Sequence, residues 1–337
     1  MDNKLILAIE TSCDETSAAV IGAGPEILSN IVASQVDWHK KFGGVVPEIA
    51  SRKHLELIEP VIDEAISEAG VEYKDLDAVA ATRGPGLVGA LLVGFAAAKG
   101  LAYSLGLPFI GVNHVAGHIY ANFLMNNEIA SPFICLTVSG GHTDLLYFDR
   151  PGSYRFLGRT RDDAAGEAFD KIARFLKLGY PGGPEIEKMA AKSGDAQAIE
   201  LPRALVGEEG YDFSFSGLKT AVINYVHNAD QRGEVINKND LAASFQQAVV
   251  DSLTARLEKA VLDFKAESIL LAGGVAANQV LRNEVEKITR KSRLQFYVPP
   301  LNLCTDNAAM IGAAAYYRYL DADFDSLDIG VKADLSM

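Results

Sequence analysis

His114 and His118 stand four residues apart in Gly111-Val-Asn-His-Val-Ala-Gly-His118, a stretch that reads as the start of a helix. Four residues is about one helical turn, so both imidazoles leave the same face. That is ligand spacing for a transition metal. It is not the zinc-peptidase arrangement, which places a Glu general base directly after the first His; here position 115 is Val. Asp306, in Cys304-Thr-Asp306 at the opening of the last expected helix, is an ordinary N-cap or a third ligand. Two His and one carboxylate with open positions suit non-haem iron or catalytic zinc. The competing reading of the His pair is two buried rings with ordinary hydrogen bonds.

Other groups bear chemistry of a different kind. Asp14 and Glu15 are adjacent acids at the tip of the first hairpin, placed to orient a nucleophile, bind a cation or receive a proton, or simply to turn the chain. Ser139-Gly-Gly-His-Thr143 is a glycine turn at a strand end, where backbone N–H groups can approach an anion, and His142 either meets a phosphate or caps the turn. Gly273-Gly-Val-Ala-Ala-Asn278 runs from a strand into a helix and suits a nucleotide, with Asn278 as ribose contact or helix cap. It lacks the dinucleotide fingerprint and the Walker lysine. Asp163, Glu167 and Asp170 share one face of an expected helix, either solvated or turned to a nucleotide, with Gly182 and Gly183 nearby in sequence.

The elements that must position these groups alternate between strand and helix. Lys4 to Glu10 reads as a strand, Thr11 to Thr16 as a polar turn, and Ser17 to Ile21 as the return strand, ended at Gly22 to Pro25. Phe133 to Val138, Ser139 to Asp144 and Leu145 to Phe148 repeat that unit, which suggests a duplicated domain. Between them lie a helix over 49–69, a strand over 77–82, a helix over 87–105 and a strand over 108–112. The second half continues with a helix over 162–176, a sharp loop over 179–184, a helix over 241–264, strands over 268–272 and 295–298, and a last helix to about Tyr319. This is an α/β chain with largely buried sheets.

The 337 residues are enough for two cores. The expected division is an N-terminal lobe over 1–130, carrying the His pair, and a C-terminal lobe over 131–337, whose last helix is free to pack back on the first. Met1-Asp-Asn-Lys4 leads straight into a strand, so no signal peptide is expected. The apolar run 84–98 falls short of the roughly 18–20 residues of a membrane span. Three cysteines with no Cys-x-x-Cys point to a reducing cytoplasm. A net charge of −13 argues against holding nucleic acid by global charge. A nucleic-acid substrate needs a local patch, and Arg52-Lys53, Arg159/Arg161 and Lys287, Arg290, Lys291 and Arg293 are the candidates.

Ten strings taken together carry a resemblance: Glu10 to Thr16, Gly43 to Glu48, Gly84 to Leu91, Asn113 to His118, Val138 to Thr143, Asp163 to Asp170, Tyr180 to Pro184, Phe213 to Thr220, Gly273 to Asn278 and Cys304 to Asn307. In that order, across nearly the whole chain, they resemble the bacterial tRNA N6-adenosine threonylcarbamoyltransferases (the TsaD members of the Kae/Qri family, formerly labelled glycoproteases). The resemblance implies an actin/Hsp70/sugar-kinase-like (ASKHA) fold, two duplicated α/β lobes around a nucleotide cleft. It implies transfer of a threonylcarbamoyl group from threonylcarbamoyl-AMP to N6 of the adenosine just 3′ of the anticodon, in tRNAs reading ANN codons. It implies one divalent metal on His114, His118 and Asp306, iron ahead of zinc. It implies nucleotide contacts at Thr137, Val138, Ser139, Gly140, Gly141, Asp170, Gly183 and Asn278, and at Glu187, one methylene longer than the Asp of some members; ATP or ADP is expected in the same site. The implied partners are tRNA, a TsaB-like homologue, a TsaE-like ATPase and a TsaC-like enzyme that supplies the intermediate. Asp14, Glu15 and His142 are the candidate proton acceptors, and the residues do not choose among them. The alternatives are a metal-dependent peptidase, a small-molecule kinase of the same fold, and a non-catalytic ATP-binding scaffold.

Overall fold

Ile6-Leu-Ala-Ile9 is apolar on both faces, as a strand covered on both sides must be, and it forms the centre of a sheet. The computed structural model describes residues 4–126, 128–192 and 195–337; the leader-free reading of Met1, Asp2 and Asn3 lies outside them. The chain divides into two compact units, residues 1–128 with 299–337, and residues 129–298.

In the first unit β1 (Ile6–Glu10) pairs antiparallel with β2 (Glu15–Ile21), which pairs antiparallel with β3 (Ile27–Ser34). The chain continues through α1 (Val36–His39), α2 (Pro47–Glu68), β4 (Ala78–Gly84), α3 (Val88–Leu105), β5 (Phe109–Asn113) and α4 (His114–Tyr120). The sheet order is β3-β2-β1-β4-β5, with β4 parallel to β1 and β5. Strand β3 escaped the sequence reading because Ser29, Asn30 and Ser34 interrupt its apolar pattern, as an edge strand tolerates.

The second unit repeats the scheme with β6 (Phe133–Val138), β7 (Thr143–Arg150), β8 (Ser153–Arg159), α5 (Ala165–Leu176), α6 (Gly182–Ala190), α7 (Ser216–Gln231), α8 (Lys238–Asp263), β9 (Ser268–Ala272), α9 (Gln279–Ser292) and β10 (Gln295–Tyr297). Its sheet order, β10-β9-β6-β7-β8, is the first sheet's order with β6 in the place of β1. Both sheets therefore carry an antiparallel meander beside parallel strands, and the hairpin repeat in sequence is a repeat in topology. The stretch 179–184, read as loop throughout, already begins α6 at Gly182.

The last segment, with α10 (Leu301–Cys304) and α11 (Ala308–Leu320), belongs to the first unit. Ile6, Ala8, Ala19 and Ile21 share a core with Met310 and Ile311 of α11, while Leu7, Ile9, Ala18 and Val20 face α2 and α3. The period of two along β1 and β2 thus separates two apolar layers. Helix α3 is the one helix among the described residues long and apolar enough to cross a membrane, at mean hydropathy 1.6; it runs seven residues past Ala98, where the sequence reading stopped the apolar run. Phe95, Ala98 and Ala102 place its inner face in the core layered on β1 and β4.

Candidate metal centre and glycine-turn site

The side chain of Asn113 accepts from the N–H groups of Val115 (2.9 Å) and Ala116 (3.2 Å), so α4 opens at His114 itself. The two rings consequently lie on one face, their centroids 4.7 Å apart and nearly perpendicular. Gly117 lets α4 lie close on α11, since a Cβ there would stand 2.8 Å from Ile311 Cδ1. That approach brings Asp306 to the pair: its Oδ1 lies 3.5 Å from His114 Nε2 and 3.2 Å from His118 Nε2. One donor atom from each of the three residues fits within 4.8 Å of the others.

Asp306 is not the cap of the last helix. Asn307 is, accepting from Met310 N–H at 3.1 Å, while Ser17 Oγ accepts from Ala308 N–H at 2.8 Å. With the helix start served by neighbours, the Asp306 carboxylate is left to the histidines. Both ring nitrogens of His118 are buried and make no hydrogen bond, so the 3.2 Å approach to Asp306 is proximity without alignment. A buried imidazole without a hydrogen bond is costly, and a metal ion on its ring nitrogen would offset that cost. Nitrogen and carboxylate donors of this kind fit a borderline divalent transition metal.

The electrostatics agree in sign. Burial disfavours a charged ring, yet Asp306 and Glu10 beside His114 hold its pKa well above the ordinary imidazole range. Burial likewise opposes ionisation of Asp306, and His114 with His118 reverses it, holding the carboxyl below the usual carboxylate range. Glu10 at Nδ1 and Asp306 at Nε2 thus both favour positive charge at His114.

Glu10 was missed at the level of sequence. It is wholly buried; Oε2 meets His114 Nδ1 at 2.9 Å and accepts from Thr82 Oγ1 at 2.6 Å, while Oε1 accepts from Ser12 N–H at 2.5 Å. Ser12 Oγ also lies 3.1 Å from His114 Nδ1. The signal was present: an acid closing an otherwise apolar buried strand.

Asp14 sits in the turn after β1 and is buried, its carbonyl accepting from Gln35 N–H at 2.9 Å. Glu15 is not at the hairpin tip; it is the first residue of β2, paired across to β3, and its Oε1 accepts from Ser34 Oγ at 2.9 Å. Burial first, and then Asp14, push its pKa up to about 8. A carboxyl raised from about 4.5 binds its proton more tightly when folded. The metal-free chain should therefore lose stability as pH rises from about 4.5 through about 8, and Glu15→Gln should remove that loss. Urea midpoints of both chains across this range check it; parallel profiles would contradict it.

In the second unit, four of the quoted strings converge. The turn 139–142 is closed by Ser139 N–H to the His142 carbonyl (2.8 Å) and His142 N–H to Ser139 Oγ (3.1 Å). Nothing lies within 4 Å of where a Cβ would sit on Gly140 or Gly141, so the backbone there is open to approach. Thr137 and Val138 are buried in β6. Gly166 packs on Ser139, and Gly273, at φ +88°, packs on Val138, where a Cβ would come 2.4 Å from the carbonyl oxygen. Gly273→Ala should therefore cost about 2–4 kcal/mol from backbone strain and clash together, read as a shifted urea midpoint.

Asp170 Oδ1 accepts from Gly182 N–H at 2.7 Å, and Gly183 beside it faces open space. Glu187 Oε1 accepts from Gln279 N–H at 2.8 Å, tying α6 to the start of α9. Asn278 caps α9 through Leu281 N–H (3.0 Å) and donates to Gln246 (2.8 Å). The acidic face read over Asp163, Glu167 and Asp170 does not form as one: Asp163 precedes α5 and is held by Lys171 (2.7 Å) and Lys219 (3.0 Å), and Glu167 pairs with Lys171. The basic candidates are largely neutralised too. Arg159 pairs with Asp144, Arg161 with Asp212, Lys287 with Glu284, Arg290 with Glu286 and Lys291 with Glu258. Arg52 is exposed and makes no ion pair among the described residues.

Residues 26–313 match the family model described as TsaD: tRNA N6-adenosine threonylcarbamoyltransferase. The chain is 57% identical to a protein of that name from Moorella thermoacetica over 98% of this chain and 97% of the relative. It is 54% identical to another of the same name from Halalkalibacterium halodurans over 100% and 97%. Among solved structures it is similar to HypF of T. kodakarensis, with TM-score 0.61 and 15% identity, over 95% of this chain and 48% of that one. It is also similar to the activator of the 2-hydroxyisocaproyl-CoA dehydratase from Clostridium difficile, with TM-score 0.53 and 12% identity, over 94% and 96%. These structural likenesses place the fold in the ASKHA class.

Proposed function

The chain belongs to the tRNA N6-adenosine threonylcarbamoyltransferase family, and from that membership we propose that it moves a threonylcarbamoyl group from threonylcarbamoyl-AMP to N6 of the adenosine 3′ of the anticodon in tRNAs reading ANN codons. The observation that carries the reading beyond the family is the cluster of His114, His118 and Asp306, two buried rings and a half-buried carboxylate, with no hydrogen bond to either ring nitrogen of His118.

The adenosine nitrogen forms a bond to the carbamoyl carbon, the carbon–oxygen bond to the phosphate breaks, AMP departs with the electron pair, and N6 gives up a proton. The amine is a weak nucleophile, so holding both reactants in place matters more than base strength. His114, His118 and Asp306 would hold one divalent metal, iron ahead of zinc, whose chemistry when bound is Lewis-acid stabilisation of developing negative charge. Ser12 and Glu10 fix the His114 ring. Backbone N–H groups of Gly140 and Gly141 receive the phosphate, while Ser139 N–H closes the turn on the His142 carbonyl. Asp170 and Gly183 line the nucleoside side, and Glu187 and Asn278 set the α6–α9 junction beside them. Of the candidate proton acceptors we take Asp14, by elimination of the other two. Glu15, raised to about 8, is mostly protonated at neutral pH, and His142 belongs to the phosphate turn.

We take the TsaB-like homologue and the TsaE-like ATPase as working partners, a TsaC-like enzyme as source of the intermediate, and the cytoplasm as the compartment. The test is incorporation of labelled threonine into unmodified tRNA, with ATP, bicarbonate and those companions. Label in the RNA is expected. Its absence with active companions, or ATP-dependent phosphorylation of a metabolite instead, overturns the reading.

A further inference from the structure

Trp38 on α1 is the only tryptophan of the chain and stands 48% exposed. Phe42, one turn on, and Leu55 on α2 are more exposed still. The ammonium groups of Lys41 and Lys53 lie 4.7 and 4.5 Å from the indole centroid. Between residues 38 and 55, Lys40, Lys41, Arg52 and Lys53 stand against one acid, Glu48, in a chain of net charge −13. Lys40 pairs with Asp37 and Lys53 with Glu56, both at the surface. Lys41 and Arg52 make no ion pair among the described residues. Counted with Asp37 and Glu56, the patch has four cations to three acids, a small local excess of positive charge around an aromatic ring in an otherwise acidic chain.

The patch is anchored to the turn that serves the candidate metal centre. Gln35, three residues before Trp38, donates its N–H to the Asp14 carbonyl at 2.9 Å. His54, next to Lys53, places Nε2 3.0 Å from the Cys13 carbonyl oxygen. Ser12 of the same turn lies 3.1 Å from His114 Nδ1. The residue that caps the helix of the ring is thus hydrogen-bonded to Asp14, and the helix of Arg52 and Lys53 to Cys13.

An exposed ring among cations is how proteins hold unpaired bases: the ring stacks on a base and the cations follow the phosphates. A duplex presents no free base face, whereas a loop does. We propose that Trp38, Phe42, Lys41, Arg52 and Lys53 form the docking surface for unpaired bases and phosphates of the substrate tRNA's anticodon loop. The proposal rests on the tRNA reading above. In the free protein the lysines rest on the indole; in the complex their stronger partners are phosphates.

The single tryptophan makes the test direct. The full chain is titrated with an unmodified anticodon stem-loop RNA while indole emission and the anisotropy of the labelled RNA are followed together. Emission should change saturably and in step with anisotropy. Trp38→Ala should weaken binding about tenfold, Trp38→Phe should keep most of it, and Arg52→Glu should weaken it and flatten its salt dependence. RNA binding with unchanged emission, or Trp38→Ala binding as the native chain does, overturns the proposal. So does a companion protein that alone shifts the emission and blocks the RNA-induced change, since the surface is then a protein interface. If the chain alone binds no RNA, KM for tRNA in the full assembly decides: a rise of about tenfold for Trp38→Ala at unchanged kcat supports the surface, and an unchanged KM refutes it. Threonine incorporation by the native assembly is scored separately, so a failed docking surface is told apart from a failed transferase reading.

Discussion

The paired substitution His114→Ala/His118→Ala should reduce threonine incorporation into tRNA by at least about a hundredfold, because loss of a Lewis acid removes several kcal/mol of charge stabilisation. Metal analysis of the purified chains should find about one divalent ion per native chain and next to none in the variant. Asp306→Asn is the milder companion, since it keeps volume and removes one anionic donor. Circular dichroism separates a lost site from a lost fold. The double variant removes two buried rings but leaves the Glu10 carboxylate bound to Ser12 N–H and Thr82. Native-level incorporation by a folded, metal-free variant would reduce the cluster to a dispensable feature.

Glu10→Ala should be the most damaging single change in the first unit. The carboxylate is wholly buried and serves three donors or partners at once, Ser12 N–H, Thr82 Oγ1 and His114 Nδ1. Removing it strands those groups in a dry environment and leaves His114 without its orienting acid. A stability loss of about 3–5 kcal/mol is expected, as for one partner deleted from a buried pair. Metal affinity should fall about 10- to 100-fold, the usual cost of losing the acid behind a ligating histidine. Glu10→Gln separates the two effects: it keeps the shape and an acceptor for Thr82, so stability should recover while most of the affinity loss remains. Urea unfolding and competition with a chelator give the two readouts. An unimpaired affinity in Glu10→Gln would mean that Ser12 alone orients the ring.

Much of this was legible because it is local. His114 and His118 are one turn apart, and Asn113 starts the helix at the first of them, so their common face follows from helical geometry alone. The two hairpins were visible because β1 and β6 are mostly apolar runs beside polar turns. Their shared sheet order then matched. Strand β3, with its polar interruptions, and the early start of α6 at Gly182 were not legible, since an edge strand and a helix opening on two glycines both run against propensity.

Residues distant in the chain were decided only by packing. That Asn307, not Asp306, caps α11 depends on Ser17 and Asn30 reaching the same helix start from β2 and β3. That Glu10 belongs to His114 depends on α4 following β5, two strands over from β1 in the same sheet. That Asp163 serves Lys171 and Lys219 instead of an acidic face depends on where α7 crosses. Most strands and helices, the hairpin repeat and the common face of the two histidines follow from periodicity along the chain, and the family follows from ten motifs in order, because each of these is carried by residues close together in sequence. Tertiary structure alone decided which acid meets which histidine and which glycine opens a backbone, because hydrogen bonds and close approaches depend on distances of a few ångströms between residues up to hundreds of positions apart.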